Sequence, residues 1–136
     1  MIVFDTNVLS EPMRPAPHPA VLAWMAEQED VAITAVSVGE LMTGARLLPR
    51  GARRERLLAS IETILTGLDV LAFDEHSAHH YAWMRAERRA TGRPLTVEDG
   101  MIAAIAASHG ATLATRNTRD FDRLGVDIVD PWAVTG

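Results

Sequence analysis

The 136-residue chain contains no cysteine and no lysine. Without cysteine there is no disulfide, no thiolate zinc site and no cysteine nucleophile, and the expected setting is a reducing cytoplasm. Without lysine the chain lacks the side chain that a P-loop nucleotidase or a phospho-receiver domain requires. No apolar run approaches the roughly 18 residues of a membrane span, and the start Met1-Ile2-Val3-Phe4-Asp5 has neither the basic stretch nor the apolar core of a signal peptide. There is no G-x-S-x-G elbow for a serine hydrolase and no G-x-G-x-x-G for a dinucleotide. A haloacid-dehalogenase-type phosphatase carries a second aspartate two positions after its nucleophile, where Phe4-Asp5-Thr6-Asn7 offers asparagine. The expectation is a cytoplasmic protein that does not engage a membrane.

What is present is an alternation of short apolar runs with longer amphipathic stretches, the pattern of an α/β layer fold around a parallel sheet. Candidate strands cover residues 2–4, 31–33, 70–73, 112–115 and 127–129, each nearly all apolar, as expected where helices cover both faces. Between them, apolar residues recur three and four apart. One helix begins near Pro19 and carries Val21, Leu22 and Met25, and a second carries Val38, Leu41, Met42 and Ala45. A third with Leu57, Leu58, Ile61 and Leu65 ends at Gly67, a fourth runs through Tyr81 to Gly92 and Pro94, and a fifth from Val97 closes at Gly110. The proline-rich stretch at 11–19 is too short for a linker, and no repeat is visible, so residues 1–136 read as one domain.

The formal net charge is −5, which argues mildly against nucleic acid as a direct partner. All 13 basic side chains are arginine, and several of them gather at 46–56 and 85–93. Two readings stand: planar guanidinium groups gripping phosphates, or solvated helix faces paired with nearby glutamates. His76, His79 and His80 fall at helical spacing but lack an H-E-x-x-H pattern, so an amphipathic surface role is expected rather than a metal site. His109 suits a helix C-terminus.

Four acids, Asp5, Glu40, Asp99 and Asp120, fall where an apolar run gives way to a loop or helix start. Three of them have capping-box spacing: Ser37 precedes Glu40, Thr96 precedes Asp99 and Asn117 precedes Asp120 by three positions. Taken singly, each of those boxes reads as a helix cap. Asp5 differs, because it follows a strand directly and Thr6-Asn7 can themselves cap the turn that comes next. Taken together, the four converge on the crevice beyond the carboxyl ends of a parallel sheet. Carboxylates crowded there repel one another and raise their own pKa values unless a cation intervenes. Hard oxygen donors point to magnesium or manganese rather than zinc.

At these residues the chain resembles the PIN-domain ribonucleases of the VapC toxin type. The resemblance rests on Ile2-Val3-Phe4-Asp5-Thr6-Asn7-Val8-Leu9, on Ser37-Val38-Gly39-Glu40-Leu41, on Asp99-Gly100-Met101-Ile102-Ala103-Ala104, and on Leu113-Ala114-Thr115-Arg116-Asn117-Thr118-Arg119-Asp120-Phe121. It implies a three-layer α/β/α fold with a short parallel sheet of about five strands. It also implies a magnesium-dependent endoribonuclease, with manganese able to substitute. Carried over residue by residue, Asp5, Glu40, Asp99 and Asp120 become metal-binding acids, and Thr6, Asn7, Thr115 and Asn117 become supporting polar residues. Gly100 stands where the family more often has alanine or another small residue, at a cost to the helix of roughly 1 kcal/mol relative to alanine. The resemblance further implies a homodimer, a small cognate antitoxin docking near Trp24 or Trp83, and operator DNA bound only through the antitoxin complex. Two alternatives remain: a metal-dependent nuclease acting on DNA or structured flaps, and a non-catalytic interaction protein that keeps the fold.

Overall fold

The computed structural model describes residues 1–134. Five short strands form one sheet: β1 (Ile2–Phe4), β2 (Val31–Thr34), β3 (Asp69–Leu71), β4 (Thr112–Ala114) and β5 (Asp127–Val129). Their order is β3-β2-β1-β4-β5, and every pair is parallel. The chain begins in the middle of the sheet, steps outward through β2 to β3, then crosses back to β4 beside β1. The strand order therefore reverses between β1 and β4, where an open parallel sheet forms its crevice.

The helices are α1 (Thr6–Ser10), α2 (Pro19–Glu27), α3 (Ala35–Arg46), α4 (Ala52–Leu65), α5 (Glu75–Ala90), α6 (Val97–Ser108) and α7 (Pro131–Val134). Two 3-10 turns, Glu11–Met13 and Thr118–Phe121, complete the path. Because successive strand residues point to opposite faces, Val3, Ala32 and Leu113 enter one core with Met84 of α5 and Ile102 and Ala103 of α6. Phe4, Ile33 and Ala114 enter the other, with Val8 and Leu9 of α1, Leu41 of α3 and Leu58 and Ile61 of α4. The expected three-layer α/β/α arrangement with five parallel strands is what forms. Among the described residues no helix is long and apolar enough to cross a membrane.

The strand limits shift at the edges. β3 pairs only with β2 and stops at Leu71 rather than reaching 73, and its Val70 is 50% exposed, so not every strand is covered on both faces. Phe73 is apolar for a different reason: its ring meets Tyr81 of α5 edge-on at 5.6 Å. Gly100 also has a reason the sequence does not display. A Cβ there would lie 2.9 Å from the Tyr81 ring and 3.2 Å from Leu95, so glycine permits the close approach of α5 to α6. Trp24 packs on Phe4 at 5.8 Å between ring centroids and belongs to the core surround, whereas Trp83 is 52% exposed.

Candidate active site at the strand switch

Asp5 follows β1 at the switch point and is buried. It serves as the N-cap of α1, its Oδ1 accepting from the Thr6 amide at 2.8 Å. Its Oδ2 accepts from the Thr115 hydroxyl at 2.7 Å and from Asn7 Nδ2 at 3.2 Å. Thr115 directly follows β4, so the first of these bonds ties the two strands of the switch together across 110 residues of sequence. The Thr115 hydroxyl accepts in turn from the Asn117 amide at 3.1 Å. Asn7 Oδ1 accepts from the Arg116 amide at 3.2 Å, a second tie across the same gap. Burial pushes the Asp5 carboxyl above its ordinary value; the bonds from Thr115, Thr6 and Asn7 oppose this, and the charge of Asp120 adds to it.

Glu40 reaches the site by another route. Its expected cap, Ser37, is not a cap: Thr34, the last residue of β2, caps α3 by accepting from the Ser37 amide at 3.1 Å. Glu40 thus lies in the second turn of α3, oriented by the Thr6 hydroxyl, which donates to Glu40 Oε1 at 2.8 Å. Ser37 is fully buried, and its hydroxyl lies 2.9 Å from Thr6 Oγ1 and 3.4 Å from Thr34 Oγ1. With the Thr6 proton directed to Glu40, the Ser37 hydroxyl can donate to Thr6. This chain from Thr34 through Ser37 and Thr6 to Glu40 was not foreseen from the sequence. The one available signal was two hydroxyl residues, Thr34 and Ser37, spaced as alternative caps.

Asp99 is held as the capping reading expects: Thr96 caps α6, its Oγ1 accepting from the Asp99 amide at 3.2 Å. Desolvation raises the Asp99 pKa, the Thr96 hydroxyl partly offsets this, and the charges of Asp5, Asp120 and Glu40 push it further up. Asp99 thus lies close enough to feel the charge of each of the other three, and Asp5 that of Asp120. The box at Asn117 does not form: the Asp120 amide donates to the Asn117 carbonyl at 3.0 Å, and the Asn117 side chain makes no cap hydrogen bond. Asp120 itself is exposed.

Two shallow clefts flank Glu40. One, of about 540 Å³, runs past Gly39, Thr43, Gly44 and Glu98; the other, of about 330 Å³, runs past Ser10, Arg14, Gly44 and Ile61. A side chain at Gly39 or Gly44 would meet nothing within 4 Å, so these glycines keep the face of α3 low beside the acid. Among the described residues no set of three histidines or acids lies at metal-holding separation, and the ion pairs include none of the four acids. His76 and His80 meet only edge to face, at 5.2 Å between centroids. The arginines split in function. Arg116 stacks over Trp132 at 4.9 Å, while Arg88 and Arg93 bind backbone carbonyls.

The sequence matches the PIN domain family over residues 2–127. It is 41% identical over 138 residues to the toxin FitB of Neisseria gonorrhoeae, covering 97% of this chain and 99% of that protein. It is likewise 41% identical over 138 residues to the VapC ribonuclease Y4jK of Sinorhizobium fredii, covering 97% of this chain and 98% of that one. The solved structure of FitAB bound to an IR36 DNA fragment superposes with a TM-score of 0.87 at 39% identity, over 97% of this chain and 96% of that chain. Fold, crevice and sequence agree, and the chain belongs to the PIN-domain family, alongside VapC-type ribonuclease toxins.

Proposed function

We propose that this protein is a magnesium-dependent endoribonuclease, the toxin of a type II toxin-antitoxin pair, with manganese able to replace magnesium. The observation that carries the reading is Asp5: a buried carboxylate at the strand switch whose hydrogen-bond donors are all neutral and whose charged neighbours are acids. Burial and a like charge both work against the anion at such a group, and a cation beside it relieves both. The donor set fits a hard divalent ion, since it offers carboxylate oxygens and no thiolate.

In this reading Asp5, Glu40, Asp99 and Asp120 hold the metal. The bound ion supplies Lewis acidity toward a phosphate and lowers the pKa of water. The protein's own part is positional. Thr115 and Asn7 fix the Asp5 carboxylate, Thr6 fixes Oε1 of Glu40 and leaves its other oxygen free for the ion, Thr96 anchors the helix start that bears Asp99, and one of these acids takes the proton of the attacking water. In-line attack by that water on phosphorus breaks the P–O3′ bond, and the departing 3′ oxygen takes a proton from solvent, giving a 5′-phosphate and a 3′-hydroxyl. The low face of α3 beside Glu40 gives a single strand room to lie across the acids.

The name of the Y4jK relative supports RNA as substrate, and that of FitB supports a toxin. A homodimer and operator binding only through the antitoxin complex belong to the same reading. The test is side-by-side incubation of the purified protein with single-stranded RNA and DNA. RNA is expected to be cut with magnesium, to survive with chelator, and to survive with Asp99→Asn at unchanged circular dichroism. Retained cleavage by Asp99→Asn, or preferential cutting of DNA, refutes the proposal.

A further inference from the structure

Asp120 differs from the other three acids in how it is held. Among the described residues no side chain hydrogen-bonds to its carboxylate, and it stands exposed on the 3-10 turn after β4. Its position is set from behind, through the backbone, by two arginines. Arg88 of α5 is buried; its Nη2 donates to the Asp120 carbonyl at 2.6 Å and to the Asp122 carbonyl at 3.2 Å, and lies 3.5 Å from Asp122 Oδ1. Arg93 Nη1 donates to the same Asp122 Oδ1 at 2.9 Å, and its Nη2 donates to the Arg119 carbonyl at 2.6 Å.

The two guanidinium groups thus grip the carbonyls immediately before, at and beyond Asp120, and Asp122 neutralises part of their charge. Both ends of this grip need unusual backbone. Gly92 turns at φ +73, and the Arg93 amide donates to the Arg88 carbonyl at 3.1 Å, which returns Arg93 to the side of Arg88. Across the contact, Arg123 adopts φ +58, a left-handed conformation uncommon for residues other than glycine. A guanidinium fork can span two acceptors at fixed separation, as an ammonium cannot.

We propose that Arg88 and Arg93 are positioning residues that place the Asp120 carboxylate for metal binding by gripping the backbone on either side of it. The proposal deepens the nuclease reading and rests on it. Arg93→Gln is the cleaner probe, because Arg93 lies near the surface while Arg88 is buried and its loss endangers the fold.

Two readouts are taken on wild type, Arg93→Gln, Asp120→Asn and the double variant: manganese affinity by calorimetry, and kcat and KM on RNA. Arg93→Gln is expected to weaken manganese binding and lower kcat by about tenfold, with KM within about twofold, and to add nothing once residue 120 is asparagine. A loss of equal size with and without the Asp120 carboxylate means general structural damage and overturns the proposal. So does a rise in KM at constant kcat, which assigns Arg93 to RNA phosphates, and so does an Arg93→Gln or Asp120→Asn variant matching wild type in both readouts. A wild type that cleaves no RNA but shows the manganese coupling refutes the nuclease reading and leaves the positioning role standing.

Discussion

Asp5 and Glu11 are both carboxylates buried beneath the N-terminal third of the chain, and they are treated in opposite ways. Both oxygens of Glu11 accept from Arg14 Nη1, each at 3.1 Å, and Oε1 accepts also from the His18 amide at 3.1 Å. Desolvation tends to raise its pKa, but those bonds and the charges of Arg14 and Arg116 win, and its carboxyl falls below the ordinary value. Asp5 accepts as many hydrogen bonds, all from neutral donors, and the charge acting on it is that of Asp120; its carboxyl rises. Glu11 is a finished structural ion pair, closing the proline-rich turn. Asp5 is electrostatically incomplete, and in that sense it marks a binding site where Glu11 does not.

The contrast is sharpest in single substitutions. Asp5→Asn is expected to reduce RNA cleavage more than about 100-fold, as loss of a metal ligand must exceed loss of its support. Its circular dichroism should stay native, because asparagine is an equally good N-cap. Robust cleavage by this variant removes Asp5 from the chemistry. Next in size, Thr115→Val deletes the 2.7 Å donor to Asp5 Oδ2 and should cost about 10- to 100-fold in metal affinity or rate, read by calorimetry and single-turnover cleavage.

Glu11→Ala should reverse the pattern. Leaving the His18 amide and Arg14 without their acceptor is expected to cost about 1–3 kcal/mol in urea unfolding, with the rate on RNA changing far less than in Asp5→Asn. A Glu11 variant that loses catalysis at full stability would erase the distinction.

The smallest effect is in titration. In metal-free protein, carboxyl NMR should find Asp5 and Asp99 titrating above 3.8 and Glu11 below 4.5, and magnesium should lower the first two while leaving Glu11 in place. The linkage signs are opposite. A raised carboxyl binds more protons folded than unfolded, so Asp5 and Asp99 take stability away as pH rises from 3.8 through their folded pKa values. Glu11 contributes stability that is present above 4.5 and lost as pH falls through its lowered value. The stability deficit of Glu11→Gln should accordingly vanish on acidification.

Much of the fold was legible because the apolar periods were strong. All five strands and the amphipathic helices lie close to where the pattern put them, and Asp5 falls at the end of β1, whereas Glu40, Asp99 and Asp120 sit on helical segments further from any strand. What was misread was local in appearance and tertiary in cause. Thr34 and Ser37 are both acceptable caps three positions apart, and the choice fell to Thr34 because β2 runs one residue further and buries Ser37 under Thr6. Asp5, set apart from capping in the sequence, is a cap, and Glu40, assigned to one, is not. Gly100 reads as a weak point in a helix until the Tyr81 ring is placed against it.

The sequence by itself determined the elements, the kinds of donor atom and the exclusion of thiolate and lysine chemistry, because period and residue type act over a few positions. Only the tertiary structure decided which acid is buried without a counter-charge, which hydroxyl donates to it, and which arginines are used up on backbone carbonyls. Those outcomes join residues as far apart as 110 positions, Asp5 to Thr115, and 34 positions, Arg88 to Asp122. Hydrogen-bond and Coulomb energies depend on distance and solvent exposure, and folding sets both.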